Sequence, residues 1–62
     1  MQIRVTVEHE TNKASQTHEE TIDVAPDRDA RGSVKAVAMR LLSEVVFDDQ
    51  WAGVTSVQVK RL

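Results

Sequence analysis

The chain has 62 residues, with 8 basic and 10 acidic side chains and a formal net charge of −2. One small domain spanning residues 1–62 is expected, because a chain of this length buries only about 60% of its unfolded surface and supports a single core. The sequence holds no cysteine, which excludes disulfides and thiolate metal sites. The acidic balance disfavours a protein that mainly holds nucleic acid backbones, since that function needs a basic patch.

The apolar segments of the sequence are all short. None approaches the ~20 consecutive apolar residues that a membrane-spanning helix needs, and the start of the chain lacks a signal-peptide pattern. We therefore expect a soluble, cytoplasmic protein that has no membrane partner.

Two strands joined as a hairpin are predicted first in the chain. Residues 1–9 alternate, which is typical of a half-buried strand, and the polar residues 10–16 predict the hairpin loop. The inner face of this first strand carries Met1, Ile3, Val5 and Val7. Residues 17–24 alternate more weakly, and Pro26 ends this second strand. Its inner face carries Ile22 and Val24 together with His18 and Glu20, which we expect to extend beyond the cover of the helix.

The stretch from Val34 to Val46 is the clearest helix in the sequence. Its apolar residues recur with helical spacing and share one face: Val34, Val37, Ala38, Leu41, Leu42 and Val45. Three side chains are suitable N-caps, namely Asp27, Asp29 and Ser33. Gly32 is expected in or just before the first turn, and the helix is expected to end near Phe47.

Residues 54–61 predict a third strand, with Val57 and Val59 inward and Ser56, Gln58 and Lys60 outward. The order β-β-α-β indicates a two-layer α/β (α+β) fold in which one helix covers one face of a three-stranded sheet. We expect a crossover through the helix to set the third strand parallel to the first. The predicted sheet is therefore mixed, with strand order 2-1-3.

Three segments resemble the ubiquitin-like β-grasp superfamily. They are Met1-Gln2-Ile3-x-Val5, then Thr21-Ile22-Asp23-Val24-x-Pro26 ahead of a helix containing Val34-Lys35-Ala36, and finally Val57-Gln58-Val59-Lys60-Arg61-Leu62. The resemblance implies a reduced β-grasp fold, because the strands that carry the main hydrophobic patch of ubiquitin have no counterpart here. The sequence also ends without Gly-Gly, so the resemblance does not imply conjugation through a C-terminal carboxylate.

Two groups of residues could support chemistry. His9 and His18 could meet across the hairpin beside several glutamates and bind zinc or nickel, although a solvated acidic hairpin tip explains them more simply. The carboxylate pairs Asp27/Asp29 and Asp48/Asp49 could serve acid–base catalysis only in a cleft that shifts their pKa values, whereas helix capping and solvated loops also account for them. We therefore predict no catalytic residue, no metal and no cofactor.

Binding surfaces are better supported by the sequence. Trp51 either plugs one end of the core or serves as an exposed anchor. Met39 and Val46 lie beside the apolar stripe of the helix and form a predicted shoulder. The second strand carries Glu19, Glu20 and Asp23, which discourage edge pairing, whereas residues 54–59 of the third strand carry no charge. Because residues 54–59 carry no charge, the third strand is predicted to be the edge that pairs more readily with another chain.

These features predict a non-enzymatic protein-interaction module that acts as an adaptor, a regulator or an inhibitor, with a phage-encoded inhibitor among the candidates. The partner is a foreign protein or a second copy of the chain. The predicted contact residues are Met39, Val46, Trp51, Val57 and Gln58. The alternative is an accessory protein that binds nucleic acid through Arg28, Arg31, Lys35 and Arg40.

Overall fold

The computed structural model describes residues 1–26, 28–47 and 53–62. Its elements are β1 (Gln2–Glu10), β2 (Ser15–Asp23), α1 (Ala30–Glu44) and β3 (Val54–Arg61). The strands form a three-stranded sheet of order β2-β1-β3, and α1 packs on one of its faces. The predicted α+β class, element order and strand order are confirmed.

The direction of β3 differs from the prediction. β1 pairs antiparallel with both neighbours, so the sheet is fully antiparallel and not mixed. The reason is geometric: the chain reverses on entering α1 and again on leaving it, so β3 runs in the direction of β2, and β2 is antiparallel to β1. Gly53 helps this return, because it has φ 140° and a Cβ there would lie 2.5 Å from the carbonyl oxygen of Glu10.

The helix begins earlier and ends earlier than predicted. Of the candidate N-caps, Asp29 takes the role: its Oδ1 accepts a hydrogen bond from the backbone N–H of Arg31 at 2.9 Å. Gly32 falls in the first turn, as expected. The helix ends at Glu44, not near Phe47, and Val45 already has extended backbone angles of φ −70° and ψ 130°.

The core lies between α1 and the first two strands. Its buried members are Ile3, Val5, Val7, Val24, Leu41 and Val45, and the partly buried residues packed on them are Ile22, Ala30, Val34, Val37, Ala38, Leu42 and Phe47. Each fully buried Val, Ile or Leu side chain contributes about 1.5–3 kcal/mol relative to exposure. The predicted apolar stripe of the helix is confirmed by these contacts.

Polar side chains close the β2 side of the helix. Arg40 pairs with Glu20 and also contacts Glu44 at 3.2 Å, while the Oε2 atom of Glu44 lies 3.5 Å from Nδ1 of His18. The prediction that α1 fails to cover the polar inner residues of β2 is therefore wrong. These side chains are partly exposed, so the pairs orient α1 over β2 more than they stabilise the fold.

The hairpin connection is shorter than predicted. It spans residues 11–14 and not 10–16, because β1 continues to Glu10 and β2 begins at Ser15. The hydroxyl of Thr11 accepts hydrogen bonds from the N–H groups of Lys13 and Ala14, and the Thr11 N–H donates to the Ala14 carbonyl at 2.8 Å. This side-chain turn fixes the register of the two strands.

Candidate functional site

The cover that α1 provides ends before it reaches β3. Val57 faces Val7 and Val59 faces Val5 across the β1–β3 ladder, so all four side chains lie on the helix-bearing face. Val5 and Val7 are 0% exposed, whereas Val57 is 44% and Val59 is 54% exposed. The helix packs mainly on β1 and β2, which leaves an apolar strip along β3.

In the described part of the chain no strand pairs with the second side of β3, so the backbone of this strand has a free edge. The N–H of Leu62 donates to the carbonyl of Gln2 at 2.9 Å, which marks these two residues as a hydrogen-bonded pair. Because such pairs alternate in an antiparallel ladder, the even-numbered residues of β3 bond to β1. The N–H and C=O groups of Thr55, Val57 and Val59 consequently point away from β1, along the open edge of the sheet.

The edge of β2 has a different character. The N–H of Val24 donates to the carbonyl of Met1 at 2.8 Å, so the even-numbered residues of β2 bond to β1. The free backbone groups belong to outward-facing residues such as Glu19, whose carboxylate lies 2.8 Å from Nε of Arg4. Charged side chains therefore border this edge, and charges of this kind oppose the addition of a further strand.

The two residues of the predicted shoulder do not lie together. Met39 is on α1 and is 61% exposed. Since Arg40 and Glu44 pair with β2, the rotation of about 100° per residue places Met39 away from the β2 side. Val46 is also exposed, at 75%, but it lies beyond the end of α1. The seven-residue spacing between Met39 and Val46 therefore does not place them on one helical face.

Val46 is held by a side chain from β2. Its N–H donates to Oε1 of Gln16 at 3.0 Å, and Nε2 of Gln16 donates to its carbonyl at 2.7 Å. The prediction that Val46 joins β3 in one contact surface is corrected, because its backbone is bound to the strand at the opposite edge of the sheet.

The remaining predicted contact residues divide into two cases. Gln58 lies on the outer face of β3 with an exposed side chain, opposite Thr6. Its backbone groups bond to β1 and not to the free edge, by the alternation described above. Trp51 lies outside the described residues, so both interpretations of its role stay predictions.

The predicted contact set omitted three residues of the β3 region. Val54 and Leu62 are 71% and 49% exposed and lie on the outer face, and Val59 completes the strip on the helix-bearing face. The signal was present in the sequence: Val54 and Leu62 break the polar outer pattern of the third strand at its two ends.

His9 is part of the interior and not of a solvated tip. It is 2% exposed, its Nδ1 atom lies 2.7 Å from Oγ1 of Thr55, and its ring meets the Phe47 ring edge to face at 4.8 Å. This position corrects the expectation of a solvated hairpin end. Within the described residues, no three His, Asp or Glu side chains converge as metal ligands.

The carboxylates singled out in the sequence have a structural role where they are described. The Arg31 side chain, and then its backbone N–H, hold the pKa of Asp29 below its ordinary value, which fits its capping role. Asp27, Asp48 and Asp49 lie outside the described residues.

The basic residues do not form one free patch. Arg31 binds the carboxylate of Asp29, with 3.1 Å between its Nη2 atom and Oδ2, and Arg40 is engaged with two glutamates. Arg28 and Lys35 are exposed. Two of the four cations that the nucleic-acid interpretation needs are therefore already paired with carboxylates.

Comparisons with protein-family models, with curated proteins and with solved structures find no match to this chain. In the described part of the chain, no helix combines the length and the apolar character needed to cross a membrane.

Proposed function

We propose that this chain is a small, non-enzymatic protein-interaction module that binds an extended polypeptide segment along β3. One observation carries the proposal: Val57 and Val59 are 44% and 54% exposed, while the residues opposite them on β1 are fully buried. An apolar strip next to unpaired backbone groups is the arrangement that strand addition uses, in which main-chain hydrogen bonds give affinity and side chains give specificity.

The side chains and backbone groups along the free edge of β3 indicate what kind of segment the partner presents. Residues 54–59 carry no charge, and the backbone groups of Thr55, Val57 and Val59 are directed outward. A matching segment is extended and has apolar residues at every second position, so that one row of side chains lies beside Val57 and Val59. An adaptor, a regulator or an inhibitor in the cytoplasm would bind its partner in this way. The proposal also takes the chain to be a distant, reduced relative of the β-grasp superfamily.

The test combines capture with matched substitutions. The wild-type chain, Val57→Glu and Val46→Glu are immobilised and exposed to a lysate of the source cells, and each captured protein is purified and its affinity remeasured. Val57→Glu is expected to abolish binding, because it places a charge in the strip. Val46→Glu changes a valine that is more exposed than Val57 (75% against 44%) and lies away from β3, and it is expected to leave binding intact.

Capture alone does not decide the question. If a purified partner binds Val57→Glu as tightly as the wild type, β3 is not the docking strand. If binding instead falls steeply with salt and the partner is a nucleic acid, the accessory nucleic-acid role replaces the proposal, since phosphate contacts have that salt dependence.

A further inference from the structure

The large apolar side chains that the structure leaves exposed are concentrated around β3. Val54, Val57, Val59 and Leu62 are 71%, 44%, 54% and 49% exposed. They divide between the two faces of the strand, with Val57 and Val59 on the helix-bearing face and Val54 and Leu62 on the other. A partner that covers all four must therefore present apolar side chains on both faces at the same spacing.

The strand β3 itself meets this requirement. We propose that two copies of this chain pair antiparallel along β3, about a two-fold axis that passes through Gln58. This inference rests on the proposed function and names its partner as a second copy. In this register Val57 faces the second copy's Val59 on the helix-bearing face, and Val54 faces the second copy's Leu62 on the outer face.

The backbone pattern agrees with this register. Hydrogen-bonded pairs along the new ladder must use the groups that point away from β1, which belong to the odd-numbered residues of β3. The axis at Gln58 pairs Val57 with Val59 and Thr55 with Arg61, all of which are odd-numbered. Gln58 then faces its own symmetry mate in a non-hydrogen-bonded pair, where side chains approach most closely.

The positions of the charged side chains of β3 also favour the register with its axis at Gln58. Lys60 falls opposite Ser56 and Arg61 falls opposite Thr55, so the ladder opposes no like charges. The neighbouring register, with its axis at Val57, places Lys60 opposite Val54 and Val59 opposite Thr55, so neither Val54 nor Val59 faces an apolar side chain. Self-pairing of β2 about its centre would oppose two copies of Glu19, and like charges directly opposite are destabilising.

The resulting assembly has a continuous six-stranded sheet with both helices on one face. The strand β3, which is an edge in one copy, becomes an interior strand in the pair. Among the strands that the structure describes, closing the β3 edge leaves the two β2 strands as edges, and these are bordered by charge. The pair is isologous, as two-fold contacts require.

Single cysteines test the register directly, because the chain has none of its own. Gln58→Cys is expected to form a covalent dimer under mild oxidation, since facing residues of such a pair have the Cα separation that a disulfide accepts. Val57→Cys probes the neighbouring register, and Thr17→Cys, exposed on the outer face of β2, reports random collision. Gln58→Cys should link about tenfold faster than Thr17→Cys or more, because association raises the effective concentration.

Sedimentation velocity supplies the reversible measurement. The wild type is expected to show a concentration-dependent dimer that Val57→Glu weakens roughly tenfold, about 1.4 kcal/mol, and that Val46→Glu leaves unchanged. Faster linkage of Val57→Cys than Gln58→Cys would overturn the assigned register. A wild type that stays monomeric at its highest soluble concentration, with no preferential linkage of Gln58→Cys, would overturn self-pairing altogether.

These failures are distinguishable from failure of the proposed function. A monomer whose binding to a purified foreign partner is lost in Val57→Glu overturns the two-fold pair and leaves β3 as the docking strand. A dimer that persists unchanged in Val57→Glu, with a foreign partner also unaffected, overturns both.

Discussion

The side-chain amide of Gln16 pairs with the backbone of Val46 as another strand would. It accepts from the Val46 N–H at 3.0 Å and donates to the Val46 carbonyl at 2.7 Å. The pair supplies partners for a backbone that leaves the helix at Glu44. It also holds the chain between Val45, which is buried, and Phe47, which meets His9 edge to face.

Replacing this glutamine is expected to loosen the end of the helix. Gln16→Ala removes both hydrogen bonds and should lower the free energy of unfolding by about 1–3 kcal/mol, since each such bond contributes about 0.5–1.5 kcal/mol. Urea melts followed by circular dichroism measure the change. Gln2→Ala, at an exposed position on β1, is the control and should stay near the wild type. Equal effects in the two variants would contradict a specific role for Gln16.

Leu41 is the buried residue of α1 and is 3% exposed. Leu41→Ala is expected to cost about 2–5 kcal/mol through lost transfer free energy and the cavity that remains. That is a large share of the total for a domain of this size, which at 0.05–0.15 kcal/mol per residue is about 3–9 kcal/mol. Met39→Ala, at a site that is 61% exposed, is the matched control and should cost under about 1 kcal/mol. A loss below about 1 kcal/mol for Leu41→Ala would show that the core face of the helix is wrongly assigned.

The hydroxyl of Thr55 is the partner of a buried imidazole. Thr55→Val keeps the shape of the side chain and leaves Nδ1 of His9 without its hydrogen bond, which should cost about 1–3 kcal/mol. Thr55→Ser retains the hydroxyl and should restore most of that stability. Thermal melts compare the stability of the wild type, Thr55→Val and Thr55→Ser. If Thr55→Val is as stable as the wild type, the hydrogen bond between His9 and Thr55 contributes nothing to the free energy of unfolding.

The capping of α1 by the Asp29 carboxylate is expected to make the stability of the fold depend on pH in the acid range. The folded-state pKa of Asp29 lies below its ordinary value of 3.8, so its carboxylate stabilises the fold above that pH, and the contribution is lost as the pH falls through the lower folded-state pKa. Asp29→Asn keeps an oxygen acceptor and removes the titration. On acidification from neutral pH, the melting temperature of the wild type should fall further than that of Asp29→Asn. Parallel curves would assign the acid sensitivity to other carboxylates.

Proline substitutions can separate the two sides of β3. Val57→Pro removes an N–H that points to the free edge and leaves the ladder with β1 complete, so the fold should survive, as edge positions of this kind tolerate proline. Gln58→Pro removes an N–H that bonds to β1 and leaves the carbonyl opposite it unsatisfied, which should cost about 1–3 kcal/mol. Far-ultraviolet circular dichroism in urea distinguishes them. If Val57→Pro is the more damaging variant, the assignment of the free edge is reversed.

The positions of the elements were largely predictable from the sequence, because hydrophobic period is a local property. The third strand was predicted at 54–61 and observed at Val54–Arg61. The end of the helix was not predictable in the same way. The apolar period runs on through Val45 and Val46, but Gln16, distant in sequence, provides hydrogen bonds to the Val46 backbone.

The direction of β3 and the exposure of its side chains depend on how the whole chain folds and not on the local sequence pattern. The parallel prediction for β3 neglected that the chain reverses twice, on entering and on leaving α1, so that β3 takes the direction of β2 and not that of β1. The exposed strip on β3 could not be read from alternation, since Val57 has the same pattern as the fully buried Val5 and Val7. What separates them is the position of α1 over the sheet, and the side chains of Arg40 and Glu44 set that position toward β2.

The central strand β1 pairs with one strand that is close to it in sequence, β2, and with one that is distant in sequence, β3. Its pairing with β2 closes through residues 11–14, whereas its pairing with β3 joins residues near opposite ends of the sequence, such as Arg4 and Lys60. Because closing a long loop costs more entropy and slows folding, the hairpin is expected to form first and β3 to dock last. Until it docks, one side of β1 is open to the β3 of any other chain in solution. Refolding at high concentration is therefore expected to give copies that have exchanged this strand, and refolding at high dilution is not.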